Sequence, residues 1–184
     1  FVFAEPDRSA PLTAMAQWRL SPETRKELLA LPDHDRVLAD SLRTGGVVLG
    51  TVLERRDAPE AAPPRPSARV ATTGGDAPPL HAFHSELRPL PALEAAADGL
   101  GALNFIPDSD GVVRRVPLVL NLSGSPVPSF DAEMLRVAQR TPNLLLHATA
   151  GGALESARIG RHEIPVTRNG ELWVRYSPHI PQRS

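Results

Sequence analysis

The residues best suited to chemistry cluster between positions 104 and 115. Asn104, Asp108, Asp110, Arg114 and Arg115 bring together an amide, two carboxylates and two guanidinium groups. An arginine pair suits capture of an anionic ligand, because the guanidinium fork matches carboxylate and phosphate oxygens. The plainer alternative is an ion pair of one arginine with Asp108 or Asp110 across a turn, the other arginine being solvated. Asp108-Ser109-Asp110-Gly111 also resembles the start of a calcium loop. Counting from Asp108, the sixth residue is Val113 where such a loop needs glycine, and the twelfth is Val119 where it needs a bidentate glutamate. A turn stabilised by aspartate side chains, with Gly111 supplying a positive φ, accounts for these residues better than an irregular cation site.

His81 and His84, three positions apart with Glu86 close by, have a spacing that could share a metal on one helical turn. Pro78-Pro79 and Pro89 bracket them and leave little room for a helix, which favours surface histidines without a ligand role. His34, His147, His162 and His179 are scattered. The chain shows no nucleophile elbow, phosphate loop, dinucleotide fingerprint or metalloprotease helix. Gly99-Leu100-Gly101 lacks the third glycine and preceding strand of a dinucleotide site and reads as a flexible approach to the next strand. The absence of cysteine removes thiol catalysis, zinc–thiolate sites and disulfides. No convergent acid, base and electrophile can be assembled, so a hydrolase or transferase is the least supported reading. No catalytic residue, metal ligand or cofactor is assigned.

The 184 residues make one domain of ordinary size, able to bury a core without disulfides or metals. The net charge of −1, with no basic stripe, argues against nucleic-acid binding. Aromatic residues are only 4% of the chain, so Leu, Val and Ala must fill the core. No apolar run approaches the ~18 residues of a membrane span. The 20 prolines are about twice the usual share and exclude long helices from the region between 59 and 91.

These residues need a scaffold. Phe1-Val2-Phe3-Ala4 reads as the end of a buried strand, which suggests that the chain starts partway through a longer domain. Ser21-Pro22-Glu23 opens a helix to about Leu31. Asp33 or Asp35 caps a second, ending near Thr44 with Gly45 as left-handed terminator. Val47 to Leu53 is a strand apolar enough for burial on both faces. Residues 54–79 read as a Pro-rich loop. Gly101 to Ile106 and Val112 to Leu122 are strands flanking the aspartate turn. Ser129 caps a helix whose apolar face is Phe130, Met134, Val137 and Ala138. Leu144 to Leu146 is a short strand. Ile159–Val166 and Glu171–Tyr176, joined at Asn169-Gly170, form an antiparallel hairpin near the C-terminus. The expected fold is a single α/β domain with a mixed β-sheet flanked by helices, parallel in its first half where helix and strand alternate.

The segments in order are Phe3-Ala4-Glu5-Pro6-Asp7-Arg8-Ser9, Asp33 to Ala39, Val47-Val48-Leu49-Gly50, Gly101 to Asn104, Pro107 to Leu118, Pro128-Ser129-Phe130, Ile164-Pro165-Val166 and Gly170 to Tyr176. Their combination resembles the second CHASE family, the cyclase- and histidine-kinase-associated sensory extracellular domains. The resemblance covers residues 1–184 except the Pro-rich loop, and the aspartate–glycine–arginine–proline block is its most specific part. It implies a sensory module on the periplasmic or extracellular face of a bacterial cytoplasmic membrane. Flanking helices outside this chain would anchor the parent protein, whose intracellular output is an adenylate or guanylate cyclase or a kinase. The family's opening strand and helix are missing and the tail stops before the first downstream span, so the chain is expected to be a truncated sensor. The implied partners are an unknown small ligand or a periplasmic protein, and a second copy in a homodimer. The rival expectation is a structural dimerisation or protein-interaction module with no small-molecule ligand.

Overall fold

The structure is a computed structural model and describes residues 2–8, 11–56, 69–75 and 78–176. Three helices open the chain: α1 (Pro11–Gln17), α2 (Pro22–Leu29) and α3 (His34–Leu42). The expected caps form. Ser21 Oγ accepts from the Thr24 N–H at 3.2 Å, with Pro22 in the first turn, and Asp33 accepts from the Asp35 N–H at 3.0 Å. After α3 both Gly45, with φ +146, and Gly46, with φ +64, take positive φ, and Gly46 is the one with left-handed helical geometry.

The strand β1 (Val48–Glu54) lies between β4 (Ser85–Leu87), antiparallel to it, and β5 (Gly99–Ala102), parallel to it. A short helix α4 (Pro91–Glu94) connects these two neighbours. The strand β7 (Val119–Leu122) pairs in parallel with β3 (Ala82–Phe83) and antiparallel with β8 (Ser125–Pro128). Two links join these ladders. Ala102 at the end of β5 bridges Ser129 just after β8, and β3 runs into β4 through a bend at His84. The pairings therefore run β3–β7–β8–β5–β1–β4 and come back to where they began. Leu53, Phe83, Ala102, Leu120 and Val127, one from each of five strands, meet in a common core inside this ring.

One face of β1 and β5 serves two cores. Leu49 and Leu100 pack with Ala39 of α3 and Leu93 of α4, while Leu53 and Ala102 point into the ring. The opposite face of β5 carries Gly99 and Gly101 and is covered by α5 (Phe130–Ala138). Beyond α5 stands the second sheet, in the order β11–β10–β9–β2, formed by His162–Pro165, Leu154–Ile159, Asn143–Ala148 and Arg69–Thr73. Its buried positions Leu144, Leu146, Ala157 and Ile159 pack with Leu118, Val119 and Ala132. Finally β6 (Arg115–Pro117) and β12 (Glu171–Trp173) form an antiparallel pair of their own. The fold is thus the expected mixed α/β domain.

Several local expectations change. Val2–Ala4 is not a strand; its main contact is the Leu90 N–H donating to the Phe3 carbonyl at 2.7 Å. The stretch read as a loop from 54 to 79 contains β2, parallel to β9, while residues 57–68 and 76–77 lie outside the described residues. The run from Val112 to Leu122 divides at Leu118, which donates its N–H to Gly170 O at 2.9 Å and accepts from the Ser129 N–H at 2.9 Å. Its two halves, β6 and β7, then pair with different partners. The antiparallel hairpin near the C-terminus turns at Gly160-Arg161, joining β10 and β11. Asn169-Gly170 does make a tight turn, with Gly170 at φ +78 and the Thr167 N–H donating to Glu171 O at 2.9 Å, but the strands on either side diverge into different sheets. On α5 the buried side chains are Ala132 and Glu133, and Met134 is exposed. The Gly99-Leu100-Gly101 segment is not a flexible approach but a fully buried strand.

Candidate functional site

The aspartate turn has the expected backbone. Gly111 takes φ +81 and donates its N–H to Asp108 O at 2.9 Å, while Asp110 Oδ1 accepts from the Val112 N–H at 3.1 Å. Both arginines are engaged, so neither is left to solvent. Arg114 holds Asp110 through two parallel bonds of 2.9 and 2.7 Å and reaches Asp108 at 3.0 Å. Arg115 bonds Asp108 at 2.6 Å and Glu171 at 3.2 Å, and its guanidinium lies 5.5 Å from the centre of the Trp173 ring. The β6–β12 register places Trp173 opposite Arg115, which sets up that stacking.

Electrostatics follow the pairing. The bond from Arg114, aided by the Val112 N–H, lowers the Asp110 carboxyl from 3.8 to about 2. Arg115 and then Arg114 hold Asp108 below its ordinary value. Conversely, Asp110 and then Asp108 raise Arg114, and Asp108 followed by Glu171 raises Arg115.

Glu171 is the buried member of this network, 3% exposed; the sequence marked it only as the first residue of a strand. A buried carboxylate needs several donors. Arg115, the Thr167 hydroxyl at 3.2 Å and the His81 Nε2 at 2.9 Å supply them. His81 is therefore tied to a carboxylate from the far end of the chain rather than to His84 or a metal. Glu86 instead accepts from the Thr51 hydroxyl at 2.6 Å. Among the described residues no group of three or more His, Asp or Glu side chains is placed to hold a metal ion.

Asn104 stands apart from the ion network. Its Oδ1 accepts from the Leu53 N–H and its Nδ2 donates to the Leu53 carbonyl, both at 2.8 Å. It thus continues the β1–β5 ladder with a side chain where the β5 strand has ended.

Beside these residues lies a cleft of about 430 Å³. Its walls come from the exit of β5 (Ala102, Leu103, Asn104, Phe105), from Val113, Val116 and Pro117, from the start of α5 (Ser129, Phe130, Asp131), and from Val174 and Tyr176. Val113 and Val116 bracket Arg114 and Arg115, so the aspartate turn and the cleft share a wall. Arg115 and Trp173 lie on one face of the β6–β12 pair, while Val116 and Val174 line the cleft on the other. The Tyr176 hydroxyl closes one side by donating to the Val113 carbonyl at 2.6 Å. Of the sequence-proposed residues, Asp108, Asp110, Arg114 and Arg115 form one cluster, and Asn104 alone lines the cleft. The aromatic walls Phe105, Phe130 and Tyr176 were not among the candidates; the sequence placed Phe130 on the apolar face of a helix and Tyr176 at the end of a strand, with no sign that the two would meet.

The cleft's size falls in the range of small-molecule sites, and its lining is mostly apolar with few polar groups. No helix among the described residues is long and apolar enough to cross a membrane. The family model for the CHASE2 domain matches residues 1–184. No curated protein and no solved structure matches the chain.

Proposed function

The chain belongs to the CHASE2 family of sensory extracellular domains, and from that premise we propose that it senses a small ligand outside the cytoplasmic membrane of a bacterium and regulates an intracellular adenylate or guanylate cyclase. The observation that supports ligand sensing is the cleft where β5, α5 and the chain after β12 converge. In this reading Asn104 lines the ligand site and holds β1 to the exit of β5. Asp108, Asp110, Arg114 and Arg115 form its charged flank and fix the wall made by Val113 and Val116. A ligand shifts a receptor only through different affinity for its two arrangements. An occupant touching both Phe130 and Tyr176 would favour the arrangement in which the chain after β12 lies against α5. Dimeric output enzymes make dimer geometry the natural quantity to transmit.

Thermal-shift screening of the 184-residue chain against anions, cations and small metabolites tests this reading. Stabilisation by one class, lost when the cleft wall is altered by Val116→Asp, is the expected result. A folded chain stabilised by no class counts against direct ligand sensing.

A second reading, a structural or protein-interaction module without a small ligand, is favoured by another surface. Trp18, Leu29, Leu31 and Val37 are all more than half exposed around α2 and α3, and α2 has no buried residue. Sedimentation separates the readings. A concentration-dependent dimer indifferent to every ligand class, and lost in Leu29→Asp, supports the interaction module.

A further inference from the structure

The cleft's polar groups are nearly all committed to the protein itself. Asn104 spends its amide on both backbone groups of Leu53. Ser129 caps α5 by accepting from the Ala132 N–H at 3.3 Å, and Tyr176 donates its hydroxyl to Val113. Asp131 is the one charged side chain in the lining. It is exposed, and no hydrogen bond or ion pair engages its side chain among the described residues. The guanidiniums of the neighbouring Arg114 and Arg115 are held by Asp108, Asp110 and Glu171, so they do not neutralise it. Three aromatic rings, Phe105, Phe130 and Tyr176, line the same space.

We propose that the cleft binds a small organic cation with an apolar body, an amine or quaternary ammonium compound, with Asp131 as its counter-charge. A carboxylate beside aromatic faces is the combination that attracts such a group, because ring faces carry negative electrostatic potential. The aliphatic wall of Leu103, Val116 and Val174 takes the apolar body. An anionic ligand would meet the Asp131 carboxylate, which the N-terminus of α5 offsets only in part, and find the nearby arginines already held. A strongly polar neutral ligand would find few free partners and lose its hydration. This assignment rests on the ligand-sensing reading and adds the ligand class to it.

The test uses three probes of similar shape: 2-phenylethylammonium, 2-phenylethanol and 3-phenylpropionate. Binding to the 184-residue chain is followed by calorimetry and by amide chemical-shift changes. The cation is expected to bind at least about tenfold more tightly than the alcohol or the anion, equivalent to ~1.4 kcal/mol. Its shifts should centre on Phe105, Asp131 and Tyr176, and its affinity should fall with added salt. Asp131→Asn should remove the preference for the cation while leaving the weak binding of 2-phenylethanol unchanged. Phe105→Ala, at a site 63% exposed and outside the core, should weaken the cation without unfolding the chain. Equal or tighter binding of the alcohol or the anion overturns the cation assignment and leaves ligand sensing standing. An unchanged preference in Asp131→Asn overturns it too, as does no binding of the cation at millimolar concentration. If the wider metabolite screen also finds nothing, the sensing reading itself falls.

Discussion

Gly101 on β5 lies against the backbone of Phe130, the first residue of α5. A Cβ at Gly101 would overlap Phe130 Cα and stand 2.8 Å from its nitrogen and 2.9 Å from Ser129 O. Real Cβ atoms do not approach backbone so closely, so one element would have to move. The contact sets where α5 begins, and with it the Phe130 and Asp131 walls of the cleft. Gly101→Ala is therefore expected to destabilise the chain by ~1–3 kcal/mol, measured by chemical denaturation, and to shift the amide resonances of Phe130 and Asp131. Gly124→Ala is a useful contrast. Gly124 has φ +89 but open space around it, so the cost there is backbone strain of ~1 kcal/mol with no effect on the cleft. Similar resonance shifts in both variants would show that crowding at Gly101 does not place α5.

Asn104 makes a second prediction, because its two bonds to Leu53 replace a ladder pair at the end of β5. Truncation in Asn104→Ala removes both and leaves the Leu53 backbone groups to find other partners, a loss of ~1–3 kcal/mol. Asn104→Asp keeps an acceptor for the Leu53 N–H yet sets a second carboxylate oxygen toward the Leu53 carbonyl, so it should not restore stability at neutral pH. Urea denaturation of the pair is the check. If Asn104→Ala is as stable as the parent while ligand stabilisation disappears, the residue is a ligand contact and not a clamp.

The secondary structure was legible wherever a local signal carries it. Ser21, Asp33 and Ser129 cap their helices as their side-chain chemistry dictates, and the apolar run from Val47 to Leu53 marks β1, largely buried as its composition implies. What stayed hidden was long-range pairing. The Asn169-Gly170 turn was correctly located, yet which strands it joined depended on β6, more than fifty positions earlier, claiming β12. The Gly-Leu-Gly run was misread because its glycines serve a helix that comes later in the chain. The candidate site was half legible for the same reason. Asp110 and Arg114 are four residues apart and pair locally, but Glu171 and His81 join Arg115 only through tertiary structure. An acid with no periodic or motif signal gives no sign that it will be buried.

Glu133 offers a sharper case of that kind. It is fully buried on α5 and held by two bonds of 2.8 Å from Arg136, which also donates to Asp98 O at 2.9 Å and Thr141 O at 3.0 Å. Gly99 leaves the room it occupies: a Cβ there would stand 2.8 Å from Glu133 Cδ. Removing one partner leaves a buried charge uncompensated, so Arg136→Ala is expected to cost ~3–5 kcal/mol. Replacing both, as Glu133→Leu with Arg136→Met, removes the charges together and should recover more than half of that loss. Equilibrium denaturation of the two variants decides it. A double variant no more stable than Arg136→Ala would mean that the bonds to Asp98 and Thr141, rather than the buried charge, carry the stabilisation.

The Asp110–Arg114 pair should impose an acid limit on the turn beside the cleft. The folded carboxyl is lowered from 3.8 to about 2, so between those values the unfolded chain binds a proton that the folded chain refuses. Stability therefore rises with pH across this window, because the unfolded state holds more protons. The contribution is complete above about pH 4 and disappears as the pH falls toward 2. Asp110 is about half exposed, so the effect is screened by solvent and should shrink further in high salt. Carboxyl-carbon chemical shifts of Asp110, followed from pH 5 to pH 1.5, report it directly, and Asp110→Asn should reduce the acid step in the stability profile, the remainder coming from Asp108. A titration midpoint near 3.8 for Asp110 in the folded chain would mean that Arg114 does not hold it in solution and rests on Asp108 alone.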